Sequence, residues 1–264
     1  MSESDYTSSK TFCLQDASAK KLQYPRQSSH LEGKKRMLVV HHLENSRSQR
    51  VLWLLEELGV EYEIKRYGRD KQTSLAPPEL KEIHPLGKAP VIVDNDVTVA
   101  ESGAIIEYLV HAYDDGRLRP AEGTPEWRLY TYWLHYAEGT FMPLMIISLI
   151  LNRIETTPMP FFVRPIAKGI AGKVRASYLD ANVKRNLEFM EQTLSQSKWF
   201  CGDTLTAADV QMSFALEAAE VRTDLSSGYP HLAAFLQTVR ARPAYKAALD
   251  CGGHYELIGT TANS

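Results

Sequence analysis

The sequence predicts an α/β half followed by an all-helical half, and three observations carry that expectation. Residues 38–113 show short strand-like alternations broken by helical stretches, in the order strand, helix, strand, short helix, two strands, helix. After residue 126 the apolar spacing is helical almost to the end of the chain. With 264 residues and a 44% hydrophobic fraction, the chain is long and apolar enough for one large domain or two smaller ones.

Residues 38–42, LVVHH, read as the first strand. Arg47 to Leu58 is a helix with Val51, Leu55 and Leu58 on one face, and Gly59 ends it. Val60, Tyr62 and Ile64 alternate through a second strand that runs to Tyr67. Pro77-Pro78 open a short helix. Two short strands follow at 91–93 and 97–100, joined by the turn Asp94-Asn95-Asp96. A helix from Gly103 places Ile105, Tyr108, Leu109 and Ala112 on one face. This order is a thioredoxin-like layout. No glycine-rich GxGxxG follows the first strand, which argues against a dinucleotide-binding fold.

The remainder reads as a linker at residues 115–125 and helices at 126–154, about 158–195, 206–223 and 230–250. Pro143 is expected to kink or split the first of these. Leu205-Thr206-Ala207-Ala208-Asp209 is a helix-start signal: Thr206 caps, Asp209 reaches back to its N–H, and Leu205 acts as a staple. The domain boundaries are therefore 1–36 for a polar N-terminal extension, 37–114 for the α/β domain, 115–125 for the linker, 126–252 for the helical domain and 253–264 for a tail.

Composition narrows the function classes. A net charge of −2 and a pI of about 6.5 give no general pull toward nucleic acid or anionic membranes. Cys13, Cys201 and Cys251 show no paired or metal-ligand spacing, so no metal is expected and a reducing, cytoplasmic setting fits. The longest apolar run, Phe141–Leu151, is short for a membrane span and contains Pro143, so a buried helix is expected. Residues 1–36 are Ser- and Lys-rich, lack a signal-peptide core, and read as a disordered arm preceding Met37.

The most informative stretch is His84 to Ser102, HPLGKAPVIVDNDVTVAES. Pro90 can open a strand without breaking the ladder. With a cis bond before it, the backbone of Ala89 and Val91 turns outward and can pair with an added extended peptide. Glu101-Ser102 stands at the mouth of a helix, where free N–H groups and the helix dipole favour an anion.

This pattern resembles the glutathione-binding half of the cytosolic glutathione transferase family. Lys88, Pro90, Glu101 and Ser102 stand where family members carry a loop ending in cis-proline, two strands, and an acidic residue followed by Ser. The likeness extends over most of residues 37–250, and the Thr206–Asp209 helix start recurs in the family's helical half. Around Ser46-Arg47 the chain is most similar to some fungal and bacterial members with a Ser-Arg first turn. The resemblance implies a glutathione transferase fold: a thioredoxin-like domain, then an all-helical domain. It also implies glutathione as cosubstrate, held by Lys88, Ala89, Pro90, Val91, Glu101 and Ser102, and a homodimer.

Thioredoxin-like redox proteins place Cys-x-x-Cys where this chain has Asn45-Ser46-Arg47-Ser48, and residues 14–200 contain no cysteine. A reactive thiol must therefore come from a bound cosubstrate. Lowering a thiol pKa of about 8.5 by about 2 units needs about 2.7 kcal/mol of preferential thiolate stabilisation. A hydroxyl or amide donor at a helix N-terminus supplies part of this. Ser46 and Asn45 are the candidate donors, and Arg47 adds positive charge. Ser46 and Gln49 also fit a capping box for the first helix. His41 and His42 read as strand residues with nothing local to orient them. Tyr136 and Met142, mid-helix near Glu138-Gly139, are the candidates for a pocket that takes an apolar electrophile.

Conjugation of glutathione to small apolar electrophiles, a detoxification chemistry, is the leading expectation. A glutathione-dependent isomerase or peroxidase and a non-catalytic regulatory or scaffold protein are the alternatives.

Overall fold

The computed structural model describes residues 37–256 except 71, 72, 74 and 254. The expectations for residues 1–36, Cys13 and the end of the tail lie outside the described residues.

A four-stranded sheet has the order β2-β1-β3-β4. Strand β1 (Leu38–Leu43) runs down its middle, parallel to β2 (Glu63–Tyr67) and antiparallel to β3 (Val91–Asp94), which pairs antiparallel with β4 (Val97–Ala100). The connection from β1 to β2 is α1 (Ser48–Leu58), closed by Gly59 in the left-handed conformation at φ 67°. A chain that must reverse at a helix end favours glycine there, because a Cβ penalises this φ. A one-turn helix, α2 (Leu80–Ile83), and α3 (Ser102–Tyr113) complete the α/β half. Every residue of α1 from Ser48 to Leu55 is buried, including Gln49 and Arg50. The reason is that α1 is enclosed twice: by the sheet on one side and by helices of the second half on the other.

The helical half begins with α4 (Pro125–Tyr136), continues through a π-helical turn at Ala137–Phe141, and runs on as α5 (Met142–Thr156). Pro143 does not split this helix. Its ring and missing N–H disrupt the regular ladder, and the wider π turn just upstream absorbs the mismatch while the helix continues. The result is a single 32-residue helix, long and apolar enough by length and composition to cross a membrane, whose most apolar window is 50% buried inside the fold. The helix expected over 126–154 is thus continuous, and its apolar run Phe141–Leu151 is half-buried rather than fully enclosed.

The next expected helix starts later than 158. Pro158 and Pro160 hold their preceding residues out of the helical region, so α6 begins at Arg164 and runs to Val174. A second π turn (Arg175–Leu179) leads into α7 (Asp180–Leu194). Helix α8 (Ala207–Glu220) is the axis of the half, buried from Ala207 to Ala219. Its start is as expected: Asp209 accepts the Thr206 N–H and the Thr206 hydroxyl, each at 2.8 Å, and also the Phe200 N–H at 2.8 Å. Burial raises the Asp209 carboxyl to about 6 against those hydrogen bonds. A one-turn helix, α9 (Leu225–Gly228), precedes α10 (Pro230–Ala241) and α11 (Pro243–Gly252). The single helix expected over 230–250 is thus two. Arg242, the residue before Pro243, is extended at φ −67°, ψ 134°.

The seam between the halves is polar as well as apolar. Arg242 grips both carboxylate oxygens of Glu57, and Trp53 donates its indole N–H to the same carboxylate at 2.8 Å. Trp133 packs against Phe200, Tyr136 and Phe189, with ring centroids 4.5, 4.9 and 5.4 Å away. The aromatic content of α4 is therefore mostly structural.

Candidate functional site

A cleft of about 300 Å³ lies where four segments converge. The connection into β3 contributes His84, Leu86, Lys88, Ala89 and Pro90. The end of β4 and the start of α3 contribute Ala100, Glu101 and Ser102. Arg47 enters from the β1–α1 loop, and Glu138 and Ile146 from the long helix. Residues as far apart in sequence as Arg47 and Ile146 thus meet in one place.

The Ala89–Pro90 bond is cis. Lys88 is exposed and makes no ion pair with a described residue, so its charge is available to a ligand. Helix α3 begins at Ser102, directly at the cleft, with its first N–H groups lacking helical partners. Glu101 sits just before it at φ 73°. A non-glycine residue in this region costs about 1–3 kcal/mol and persists only where the surroundings impose it. The arrangement offers a cation and a helix N-terminus for carboxylates and a carboxylate for an ammonium group. It is suited to a short zwitterionic peptide. Val91 is 1% exposed and does not line the cleft, and its register places it between His41 and Ala100.

The β1–α1 loop is held differently at each residue. Asn45 is left-handed at φ 51°, and its Oδ1 accepts the Glu256 N–H at 2.7 Å. Ser46 is 6% exposed and does not line the cleft. Its Oγ is 2.7 Å from Ser48 Oγ and accepts the Ser48 N–H at 3.2 Å. The capping box of Ser46 with Gln49 is not formed: the Gln49 N–H goes to the Ser46 carbonyl at 3.2 Å rather than to its hydroxyl, and α1 starts with no side-chain cap. Arg47 donates its Nε–H to both Glu138 oxygens at 3.0 Å.

His42 and His41 are oriented, contrary to the expectation. His42 Nδ1 is 2.8 Å from Ser48 Oγ, which extends the chain of polar groups inward from Ser46. Burial, with help from Arg66 and against a backbone hydrogen bond to Gly252, pushes the His42 imidazole down to about 4. His41 Nδ1 is 2.8 Å from the Tyr67 hydroxyl, and burial followed by Lys65 lowers its pKa too. In both rings burial favours the neutral imidazole.

Glu138 is the site residue that local sequence patterns give least. It sits in the π turn and receives Arg47 and the fully buried Arg50, whose Nη1 also donates to the Gln211 carbonyl at 2.6 Å. Burial opposes ionisation of Glu138, but Arg50 and Arg47 outweigh it and hold its carboxyl below the usual range. Burial lowers the Arg50 pKa while Glu138 opposes that shift. The one available signal was Arg50 itself, a charge inside the apolar pattern of α1. Tyr136 and Met142 are 6% and 5% exposed and do not reach the cleft. The Tyr136 hydroxyl donates to Asn186 Oδ1 within the bundle, whereas Ile146, one turn beyond Met142, lines the cleft wall.

Comparison with known proteins decides the family. Residues 35–111 match the glutathione S-transferase N-terminal domain and residues 153–243 the glutathione S-transferase C-terminal domain. Glutathione S-transferase 3 of Schizosaccharomyces pombe is 36% identical over 81% of this chain and 87% of its own length. The chain belongs to the glutathione S-transferase family of enzymes. Glutathione S-transferase 1 of Saccharomyces cerevisiae is 34% identical, covering 80% of this chain and 94% of the relative. The crystal structure of a glutathione S-transferase from Actinobacillus pleuropneumoniae superimposes with a TM-score of 0.70 at 34% identity, over 84% of this chain and 95% of that one. A glutathione S-transferase has the thioredoxin-like and helical halves observed here, and the cleft lies at their junction.

Proposed function

We propose that this glutathione S-transferase family member binds glutathione in the cleft and transfers its thiolate to small apolar electrophiles. The single observation that carries the reading is the convergence of Lys88, the cis Ala89–Pro90 bond, Glu101 and Ser102 with Arg47 in one cleft. In this reading the cysteinyl backbone of glutathione pairs beside the cis peptide at residues 89–91. The γ-glutamyl group meets Glu101 and the α3 N-terminus at Ser102, and Lys88 holds a carboxylate. No metal takes part.

Ser46 is the proposed thiolate donor. Its hydroxyl lies 2.7 Å from Ser48 Oγ, and in this reading it turns to the sulfur when glutathione binds. Asn45 is the next candidate, through its Nδ2–H; its Oδ1 accepts the Glu256 N–H at 2.7 Å. Arg47 acts through its charge, with Glu138 fixing where that charge sits. The electrophile contacts the apolar part of the wall at Leu86 and Ile146. The protein acts as a cytoplasmic homodimer in detoxification, with residues 1–36 dispensable for folding and the domain boundaries at 114 and 126 as set out above.

Two measurements test this. Calorimetric titration should show saturable glutathione binding, and an aryl halide should be conjugated at a rate proportional to enzyme. A folded sample that binds no glutathione would overturn the reading, and binding without turnover would remove its catalytic part. Sedimentation should give a dimer at micromolar concentration.

A further inference from the structure

The segment that follows α11 returns to the β1–α1 loop from the far end of the chain. Helix α11 ends at Gly252, where the backbone approaches α1 closely: a Cβ there would stand 2.5 Å from Gln49 Oε1 and 3.1 Å from Leu52 Cδ1. The preceding carbonyl, of Cys251, accepts a hydrogen bond from Arg66 on β2. Gly253 then reverses the chain at φ 88°. Tyr255 is 8% exposed, and its hydroxyl donates to Glu217 Oε2 at 2.6 Å. Glu217 is buried within α8, takes the Tyr245 hydroxyl on its other oxygen, and is therefore a rigid anchor. One residue later the Glu256 N–H meets Asn45 Oδ1 at 2.7 Å. The same loop is gripped from the opposite side by Arg69, whose Nε–H and Nη2–H donate to the carbonyls of Glu44 and Asn45 at 3.1 Å.

We propose that Tyr255 and Glu256 form a clasp that positions the β1–α1 loop, and with it Ser46 and Arg47, through the side chain of Asn45. The inference rests on the reading of that loop as the thiolate-activating element. Its physical basis is a left-handed residue, Asn45, whose neighbours carry the chemistry. Asparagine tolerates this conformation, and the hydrogen bonds from Arg69 to its carbonyl and from Glu256 to its side chain hold it there. Tyr255 is the peg that locates the Glu256 amide, and Asn45 is the receiver. Both act through the loop, whereas the cradle at Lys88–Val91 and Glu101–Ser102 lies on other elements.

The experiment measures the pKa of enzyme-bound glutathione from its thiolate absorbance, together with glutathione affinity and aryl-halide turnover. The proteins are full-length wild type, Tyr255→Ala, Tyr255→Phe, Asn45→Ala and the double variant Tyr255→Ala/Asn45→Ala. Displacing the loop should cost about ten- to hundredfold in kcat. The bound thiol should move back toward the value of the free thiol in Tyr255→Ala and Asn45→Ala alike. Glutathione affinity should stay close to wild type, since the cradle is untouched. The double variant should be no worse than the worse single variant, because the two side chains act as one unit. Tyr255→Phe keeps the peg in its pocket and separates a folding defect from a positioning defect. Should Tyr255→Ala fail to fold, the shift in Asn45→Ala decides. A wild type with a depressed thiol pKa that neither single variant moves overturns the clasp while leaving the proposed function intact. Independent, additive losses in the double variant also overturn it. A wild type that binds glutathione without depressing its thiol pKa removes the reading on which the clasp rests, and the clasp with it.

Discussion

Glu138→Ala should be the most damaging single change at the cleft, and its cost follows from the surroundings of Arg50. The Arg50 side chain is 1% exposed, and apart from Glu138 its hydrogen-bond partner among the described residues is the Gln211 carbonyl. Removing the Glu138 carboxylate leaves a buried cation with one neutral acceptor. Breaking a buried pair by deleting one partner costs about 3–5 kcal/mol. For a body of this size, each kcal/mol corresponds to about 2–4 °C, so the midpoint should fall by about 6–20 °C. Arg47 shares the same carboxylate but is 30% exposed, and Arg47→Ala should cost under about 1 kcal/mol. Replacing the pair by apolar residues, Arg50→Met with Glu138→Leu, should recover most of the loss, because the penalty comes from the orphaned charge. Thermal and urea unfolding followed by circular dichroism measure all three. A Glu138→Ala cost below about 1 kcal/mol, or a double variant as unstable as Glu138→Ala, would refute the reasoning.

Two further outcomes follow from the site. Ser46→Ala should lower turnover roughly ten- to hundredfold, the loss of one charge-assisted hydrogen bond of about 1.5–3 kcal/mol. Glutathione affinity measured by calorimetry should barely change, and Asn45→Ala, read against it, reports the loop rather than the donor; a Ser46→Ala enzyme with full activity rules out the donor assignment. His42 gives stability a pH dependence. Its folded pKa of about 4 lies below the unfolded value of 6.5, so the unfolded chain takes up a proton in that window that the folded chain refuses. Stability is therefore fully present above 6.5 and is lost as pH falls through 4, by about 3 kcal/mol in total. Asp209, raised to about 6, works in the opposite direction, stabilising below 3.8 and losing that contribution as pH rises through 6. The difference between wild-type and His42→Gln unfolding curves isolates the imidazole, and a difference that is flat with pH contradicts the assignment.

Local chemistry made much of this fold legible. Turn residues bounded the strands, Gly59 marked the end of α1, and Thr206 with Asp209 marked the start of α8, because each acts over a few residues. Lys88–Pro90 and Glu101–Ser102, singled out by their order and spacing, do meet in one cleft. Pro143 signalled a disturbance but not its form: a proline forbids one hydrogen bond and leaves the helix several ways to continue, and a π turn rather than a split is the one taken. Pro243 carried the signal for a break that the periodicity of 230–250 hid. Long-range pairs were not legible. Glu138 meets Arg50 across 88 residues and Glu256 meets Asn45 across 211, and no local pattern encodes such a partner. The orientation of His42 was hidden in another way: Ser48 is close in sequence, but the contact exists only because the loop folds α1 back onto β1. Tyr136 and Met142 fell on the inner side of a helix whose cleft-facing residues, Glu138 and Ile146, are set by the phase that the π turn imposes.

The central claim is that the cleft holds glutathione and activates its sulfur. The most direct test is a pH titration of the ultraviolet thiolate absorbance of glutathione bound to the wild-type protein. The account predicts a midpoint about 2 units below the free thiol's value of about 8.5. A midpoint unchanged from that of free glutathione, with the protein folded and the ligand bound, would contradict it.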